Sequence, residues 1–186
     1  MVTKSETTEI LTQPKLTEIN QPSFKRWLKH FLHLPAARRY FNKQDQQAIA
    51  HAVAQAEQGH VGEIQVVIEG HIPANQAYYQ NTQGRAQQLF AELGVWDTEF
   101  NSGVLLYLNL CERKVEIVID RGIKGATQQE VWDTICANVI QLMQQQAYRQ
   151  AVVQGVFEVG KVLTGFYQNV MHDSKNELSN APIILD

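Results

Sequence analysis

The sequence predicts an α/β domain of two or three layers, with helices packed on a short mixed β-sheet. Three observations carry that prediction. Residues 104–110 form an apolar run broken only by Asn109, the pattern of a strand covered on both faces. After a polar turn at Glu112 and Arg113, Val115, Ile117 and Ile119 alternate with Glu116, Val118 and Asp120, which is the period-2 signature of a second strand antiparallel to the first. Segments of helical period stand before and after this hairpin, so the sheet has helices to cover it.

Taken in order, residues 1–23 are polar and rich in Thr, Glu and Gln, and are expected to be a disordered tail. Phe24, Trp27, Leu28, Phe31 and Leu32 then recur at i, i+3, i+4, i+7 and i+8, an amphipathic helix over 24–34 that Pro35 ends. Its other face carries Lys25, Arg26, Lys29, His30 and His33. That composition suits first a terminal helix docked on the domain, and second one that touches a membrane surface or a partner. Asn42, with Asp45 three residues on, reads as the N-cap of a helix that runs to about Gln58 and stops at Gly59, with Ile49, Ala52, Val53 and Ala56 inward.

Residues 63–69 alternate Ile64, Val66 and Ile68 with Gln65 and Val67, a further strand. Pro73 and Asn75 introduce a helix that ends at Gly94, with Tyr79, Ala86, Leu89, Phe90 and Leu93 inward. Gly84 is its weak point, costing about 1 kcal/mol relative to alanine. Strand, helix and strand in one sheet imply a right-handed crossover and parallel pairing. Beyond the hairpin, Val131, Ile135, Val139 and Leu142 face inward on a helix to Gln146, for which Thr127 and Glu130 are read as a capping box. Val152, Val156, Val159, Leu163 and Phe166 do the same on a helix from Tyr148 to Tyr167, where Gly155 and Gly160 point to close helix approach or to a kink. The domain therefore spans 36–168, and 169–186 reads as a flexible tail.

At 186 residues and 44% hydrophobic content, one core is the expectation. A net charge of -3 disfavours nucleic acid, whose binders carry a basic stripe. No window approaches the roughly 18 apolar residues of a membrane span, and the N-terminal segment lacks the apolar stretch of a secretory signal. The expectation is a soluble, cytoplasmic protein. Cys111 and Cys136 have no metal-site spacing and are read as free thiols.

Signatures of the common nucleotide and zinc enzymes are missing: GxxxxGK[ST], GxGxxG after a strand, HExxH, GxSxG. What remains is one edge of the sheet. The antiparallel hairpin brings its exit, Asp120, Arg121 and Gly122, beside its entrance, Asp97, Thr98 and Asn101, and parallel pairing adds Glu63. Asp97, Asp120, Glu63 or Asp133, with Asn101 and Thr98, are hard oxygen donors of the kind that suits Ca²⁺ or Mg²⁺. A cation or Arg121 would relieve their mutual repulsion. The alternative is purely structural: Asp120 accepts backbone N–H bonds at the turn and Arg121 is its ion-pair partner. Trp96 and Trp132 are read as core or rim aromatics, His60 and His71 as loop residues, and 112–114 as a solvated hairpin tip that could also meet a partner.

The residues Thr98, Asn101, Gly103-Val104-Leu105-Leu106-Tyr107, Arg113-Lys114-Val115-Glu116-Ile117, Asp120-Arg121-Gly122-Ile123 and Trp132 resemble the TPM domain family, over about 41–167. The resemblance implies an α/β/α sandwich with a short mixed sheet of about four strands. It further implies either a Ca²⁺-dependent acid phosphatase or an accessory factor for membrane complexes, including partners of LemA-type membrane proteins. Carried onto this chain, the implied functional edge is Asp120, Arg121, Asn101 and Thr98, with Asp97 adjacent. In the phosphatase case a metal would supply Lewis acidity and Arg121 would steady charge on the phosphoryl oxygens. In the accessory case the chain is a non-enzymatic binding module, with 24–34 as a contact to the membrane or to a membrane protein.

Overall fold

The structure, a computed structural model, describes residues 8–9, 22–33, 36–167 and 176–186. The expected N-terminal disorder falls mostly outside these residues. In chain order the elements are β1 (Thr8–Glu9), α1 (Phe24–Phe31), α2 (Lys43–Ala56), β2 (Glu63–Glu69), α3 (Ala74–Ala77), α4 (Thr82–Glu92), β3 (Gly103–Asn109), β4 (Lys114–Ile119), α5 (Gln129–Gln144), α6 (Tyr148–Phe166) and β5 (Ile183–Leu185). One mixed sheet has the order β1-β4-β3-β2-β5. Among the described residues only β3 and β4 pair antiparallel; the other neighbours are parallel.

Burial of β3 on both faces explains its near-continuous apolar sequence, while β2, equally buried, also carries the buried polar residues Glu63, Gln65 and Glu69. Because side chains alternate, Ile64, Val66, Ile68, Val104, Leu106, Leu108, Val115, Ile117 and Ile119 pack in one cluster with α2, α5 and α6. Val67, Leu105, Tyr107 and Val118 join Ala86, Leu89 and Phe90 of α4 in a second cluster. Each fully buried aliphatic side chain contributes about 1.5–3 kcal/mol. The result is the α/β/α sandwich that the resemblance implies.

Local chemistry sets several boundaries. Asn42 caps α2 through Gln44 and Asp45 N–H, and Asp45 returns the bond to the Asn42 amide at 3.1 Å. Gly160 resolves the choice between kink and close approach: α6 is continuous, and a Cβ there would come 2.8 Å from Ala56 Cβ.

Elsewhere the structure corrects the expectation. The helix expected over 73–94 is two helices, because Asn81 is extended and its Oδ1 accepts Gly84 N–H at 2.8 Å, starting a new helix; Tyr79, in the break, is exposed. Thr127 does not cap α5, whose N-cap position is Gln128, with no side-chain bond. Val131 and Phe166, expected inward, are exposed. Residues 183–185 are not tail but an edge strand parallel to β2, and Gly70 N–H bonds to Leu185 O at 2.8 Å. No helix among the described residues is long and apolar enough to cross a membrane.

Candidate functional site

The antiparallel geometry does bring part of the expected edge together. Asp120 N–H donates to Gly103 O at 2.9 Å, so the end of β4 lies against the start of β3. Gly122 N–H donates to Asn101 O at 3.1 Å, and Arg121 Nε to Asn101 Oδ1 at 3.2 Å. Asn101 has φ +50, in the left-handed region that asparagine tolerates. Both glycines serve backbone contact: a Cβ on Gly103 would run into the Val95 carbonyl, and one on Gly122 into those of Asn101 and Phe100.

The oxygen donors, however, are directed to separate tasks. Asp120 is buried, and its Oδ1 accepts Arg121 N–H at 2.6 Å. Thr98 Oγ1 accepts Ser102 N–H at 2.8 Å, and Ser102 Oγ donates to Val61 O at 2.6 Å. Glu63 stands at the rim, in register with Gly103, yet its oxygens accept Glu177 and Leu178 N–H, each at 3.3 Å. Asp97 is exposed. Asp133 accepts from Gln129 on α5, and Trp132 is core.

Among the described residues no three His, Cys, Asp or Glu side chains gather as metal ligands would. Ca²⁺ takes six to eight oxygens and Mg²⁺ an octahedron. As placed, Asp97, Asp120 and Glu63 are not gathered into such a set.

Three groups near this rim, the half-buried Glu57 and the buried His60 and Tyr167, were not singled out from sequence as site residues. Glu57 Oε1 accepts Ile64 N–H at 2.7 Å, and burial, with the charge of Glu63 adding to it, pushes the carboxyl up to about 8. His60 Nδ1 accepts Gly62 N–H at 3.0 Å, and burial lowers its pKa, favouring the neutral ring. The Tyr167 ring stacks on it at 6.4 Å, its hydroxyl raised by burial and then by Asp120. Asp120 Oδ2, His60 Nε2 and Tyr167 Oη have no hydrogen-bond partner among the described residues. The available signal was the tight turn between Gly59 and Gly62, which buries the histidine it contains.

At the opposite end of the sheet, α1 is docked with its apolar face outward. Arg26 Nε and Nη2 donate to the Ala77 and Tyr78 carbonyls at 2.6 and 3.1 Å. His30 is fully buried, accepts Ile72 N–H at 3.1 Å, and lies 3.3 Å from Glu112, which also pairs with Lys29 at 3.1 Å. Arg26, Lys29 and His30 of the polar face are thereby engaged by the domain. Phe24, Phe31 and Leu32 are left 65%, 60% and 62% exposed, and Phe24, Trp27 and Phe31 stack in a row with centroids 5.1 and 5.2 Å apart.

Fold and site together define a small α/β/α sandwich with a tightly bonded polar rim at one end of its sheet and an outward apolar helix at the other. The chain belongs to the TPM domain family, whose profile matches residues 37–162. It is similar to the solution structure of the BA42 protein from the psychrophilic bacterium Bizionia argentinensis, with 25% identity, a TM-score of 0.67, and coverage of 77% of this chain and 94% of that one. The N-terminal domain of a protein from P. gingivalis shares the fold at 19% identity and a TM-score of 0.61, over 74% of this chain and 85% of that one. So does the N-terminal domain of the cg2496 protein from Corynebacterium glutamicum, at 14% identity and 0.51, over 92% and 99%. No curated protein matches the chain.

Proposed function

We propose that this TPM-domain protein is a non-enzymatic accessory module that docks on a membrane protein or complex, lying at the cytoplasmic membrane surface through the outer face of α1. One observation carries this reading: the helix turns Arg26 and His30 into the domain and Phe24, Leu28, Phe31 and Leu32 to solvent. A contiguous apolar surface of that kind is the mark of a contact site. Its aromatic row, next to Lys25 and Lys29, suits the boundary between lipid headgroups and chains. A LemA-type membrane protein is the partner suggested by the family resemblance.

Co-sedimentation of the intact chain with liposomes, with and without a reconstituted LemA-type protein, tests this. Phe31→Ser with Leu32→Ser should abolish pelleting while leaving the melting midpoint unchanged. An intact, folded chain that stays in the supernatant with both preparations removes the reading.

A second reading, hydrolysis of phosphomonoesters at the Asp120 rim, rests on the buried and unpartnered Oδ2 of Asp120 beside Arg121. An acceptor oxygen in that state attracts a proton or positive charge. Turnover of a generic phosphomonoester in added Ca²⁺ or Mg²⁺, lost in Asp120→Ala, would support it. No turnover by folded wild-type protein would end it.

A further inference from the structure

A cavity of about 730 Å³ opens beside α1, where the tip of the β3–β4 hairpin faces the C-terminal end of α5. It lies at the other end of the sheet from Asp120. Leu108, Val115, Ile140 and Met143 give it an apolar lining, and Lys29, Arg113 and Lys114 add positive charge. No acidic residue lines it among the described residues. We infer that this cavity binds a single-chain lipid anion of the fatty-acid class, its carboxylate at Arg113 and Lys114 and its hydrocarbon chain along Leu108, Val115, Ile140 and Met143.

Charge complementarity commits the site to an anion. Lys29 is already compensated by Glu112 at 3.1 Å. The adjacent cations Arg113 and Lys114 have no acidic partner among the described residues, on a chain whose net charge is -3. Two neighbouring like charges repel, and an anion between them turns that cost into attraction. The backbone adds a second observation. Arg113 has φ +56, a conformation that glycine adopts freely at hairpin tips and that strains other residues by about 1–2 kcal/mol. A long cation is held at the cavity where a glycine would be easier, and strain of this sort gathers at binding sites.

The lining restricts the rest of the ligand. A largely apolar cavity within about 300–1,000 Å³, with a few charged groups to fix orientation, has the build of a small-molecule site. Asn109, also in the lining, has its side chain engaged, donating to Tyr107 Oη at 2.8 Å and accepting Glu112 N–H at 2.8 Å. Cys111 keeps its proton, burial pushing the thiol up to about 11, so no thiolate opposes the incoming charge. A hydrocarbon chain with one anionic end matches Leu108, Val115, Ile140 and Met143 with Arg113 and Lys114 beside them; a polar ligand would have to turn to Tyr40, Gln144, Gln146 and Tyr148 and leave the apolar wall unfilled. This inference does not depend on membrane docking, because the outer residues of α1 take no part in the cavity.

Calorimetric titration of the full chain with dodecanoate, dodecanol and acetate tests it. Dodecanoate should bind with one-to-one stoichiometry, dodecanol at least tenfold more weakly, and acetate not measurably. Arg113→Gln with Lys114→Gln should weaken dodecanoate at least tenfold, and Met143→Trp should block it, while Phe31→Ser leaves it unchanged. Absence of dodecanoate binding by folded wild type, or equal binding by the double variant, overturns the proposal. Loss of binding in Phe31→Ser would place the ligand on the outer face of α1 and also overturn it, as would tighter binding of a hexapeptide with a free leucine carboxylate.

Discussion

The Nδ1 of His30 accepts the amide hydrogen of Ile72 at 3.1 Å, and this bond decides which way round the first helix sits. An imidazole that accepts at Nδ1 carries its proton on Nε2, here 3.3 Å from Glu112. His30, followed by Lys29, holds the Glu112 carboxyl down at about 2 against partial burial. A carboxylate depressed on folding stabilises the protein above its unfolded pKa near 4.3, and the contribution disappears as pH falls through the folded value. Thermal melts should therefore show Glu112→Gln less stable than wild type at neutral pH, with the gap narrowing from about pH 5 downward and closing near pH 2. A gap independent of pH would mean that Glu112 acts through packing alone.

Glu57 works in the opposite direction. Burial raises its carboxyl to about 8 while its Oε1 accepts Ile64 N–H at 2.7 Å. A carboxyl raised on folding leaves stability intact below the unfolded pKa and costs progressively more as pH climbs toward the folded one. Glutamine retains an acceptor oxygen for Ile64 and removes the charge. Glu57→Gln should melt above wild type at pH 8 and 9 and coincide with it near pH 4; a variant less stable throughout would show that the charged form is needed.

How much of this could be read from the chain depends on how local the determining interaction is. β3 was legible from its apolar run and β2 and β4 from their alternation, and the meeting of Asn101, Asp120 and Arg121 followed from antiparallel pairing alone. Which donor occupies each carboxylate was not legible, since Glu63 is taken by the Glu177 and Leu178 amides, more than a hundred residues away. The stripe of Phe24, Leu28 and Phe31 was plain from its spacing, but its direction was not. Arg26 and His30 find backbone partners at Ala77 and Ile72, and no periodicity encodes those. β5 was missed because three residues are too few to show alternation.

The buried polar cluster behind α4 should be unforgiving. Glu69 is 1% exposed; its Oε1 accepts Arg85 Nε and Nη2 at 3.0 and 2.7 Å, and its Oε2 accepts the Tyr107 hydroxyl at 2.6 Å. Removing one partner strands a buried charge and costs about 3–5 kcal/mol, whereas replacing both ions with apolar groups is far milder. Denaturant unfolding should place Arg85→Ala in that range. Tyr107→Phe should lose about 1–3 kcal/mol, since it leaves Glu69 Oε2 and Asn109 Nδ2 short of a bond. Glu69→Leu with Arg85→Leu should be more stable than Arg85→Ala; the reverse order would show that the ion pair itself holds α4 on the sheet.

Two glycines in the same helix should respond to alanine with opposite signs. Gly165 has open space around its Cα, so alanine there meets nothing and gains helix propensity, about 0.5–1 kcal/mol near the helix end. Gly160 faces α2, where an added Cβ would lie 2.8 Å from Ala56 Cβ, 3.1 Å from its carbonyl oxygen and 3.2 Å from its Cα. None of these atoms is the end of a flexible side chain, so accommodation requires α2 and α6 to move apart and loosens the contacts of Val53, Val156 and Val159 around them. Overpacking of that kind costs about 1–3 kcal/mol, which outweighs the propensity gain. Gly160→Ala should therefore unfold at lower urea than wild type and Gly165→Ala at higher urea, with unchanged slopes. If both variants were stabilised, the α2–α6 contact would have slack, and close packing of α2 on α6 would not be what holds that layer of the sandwich.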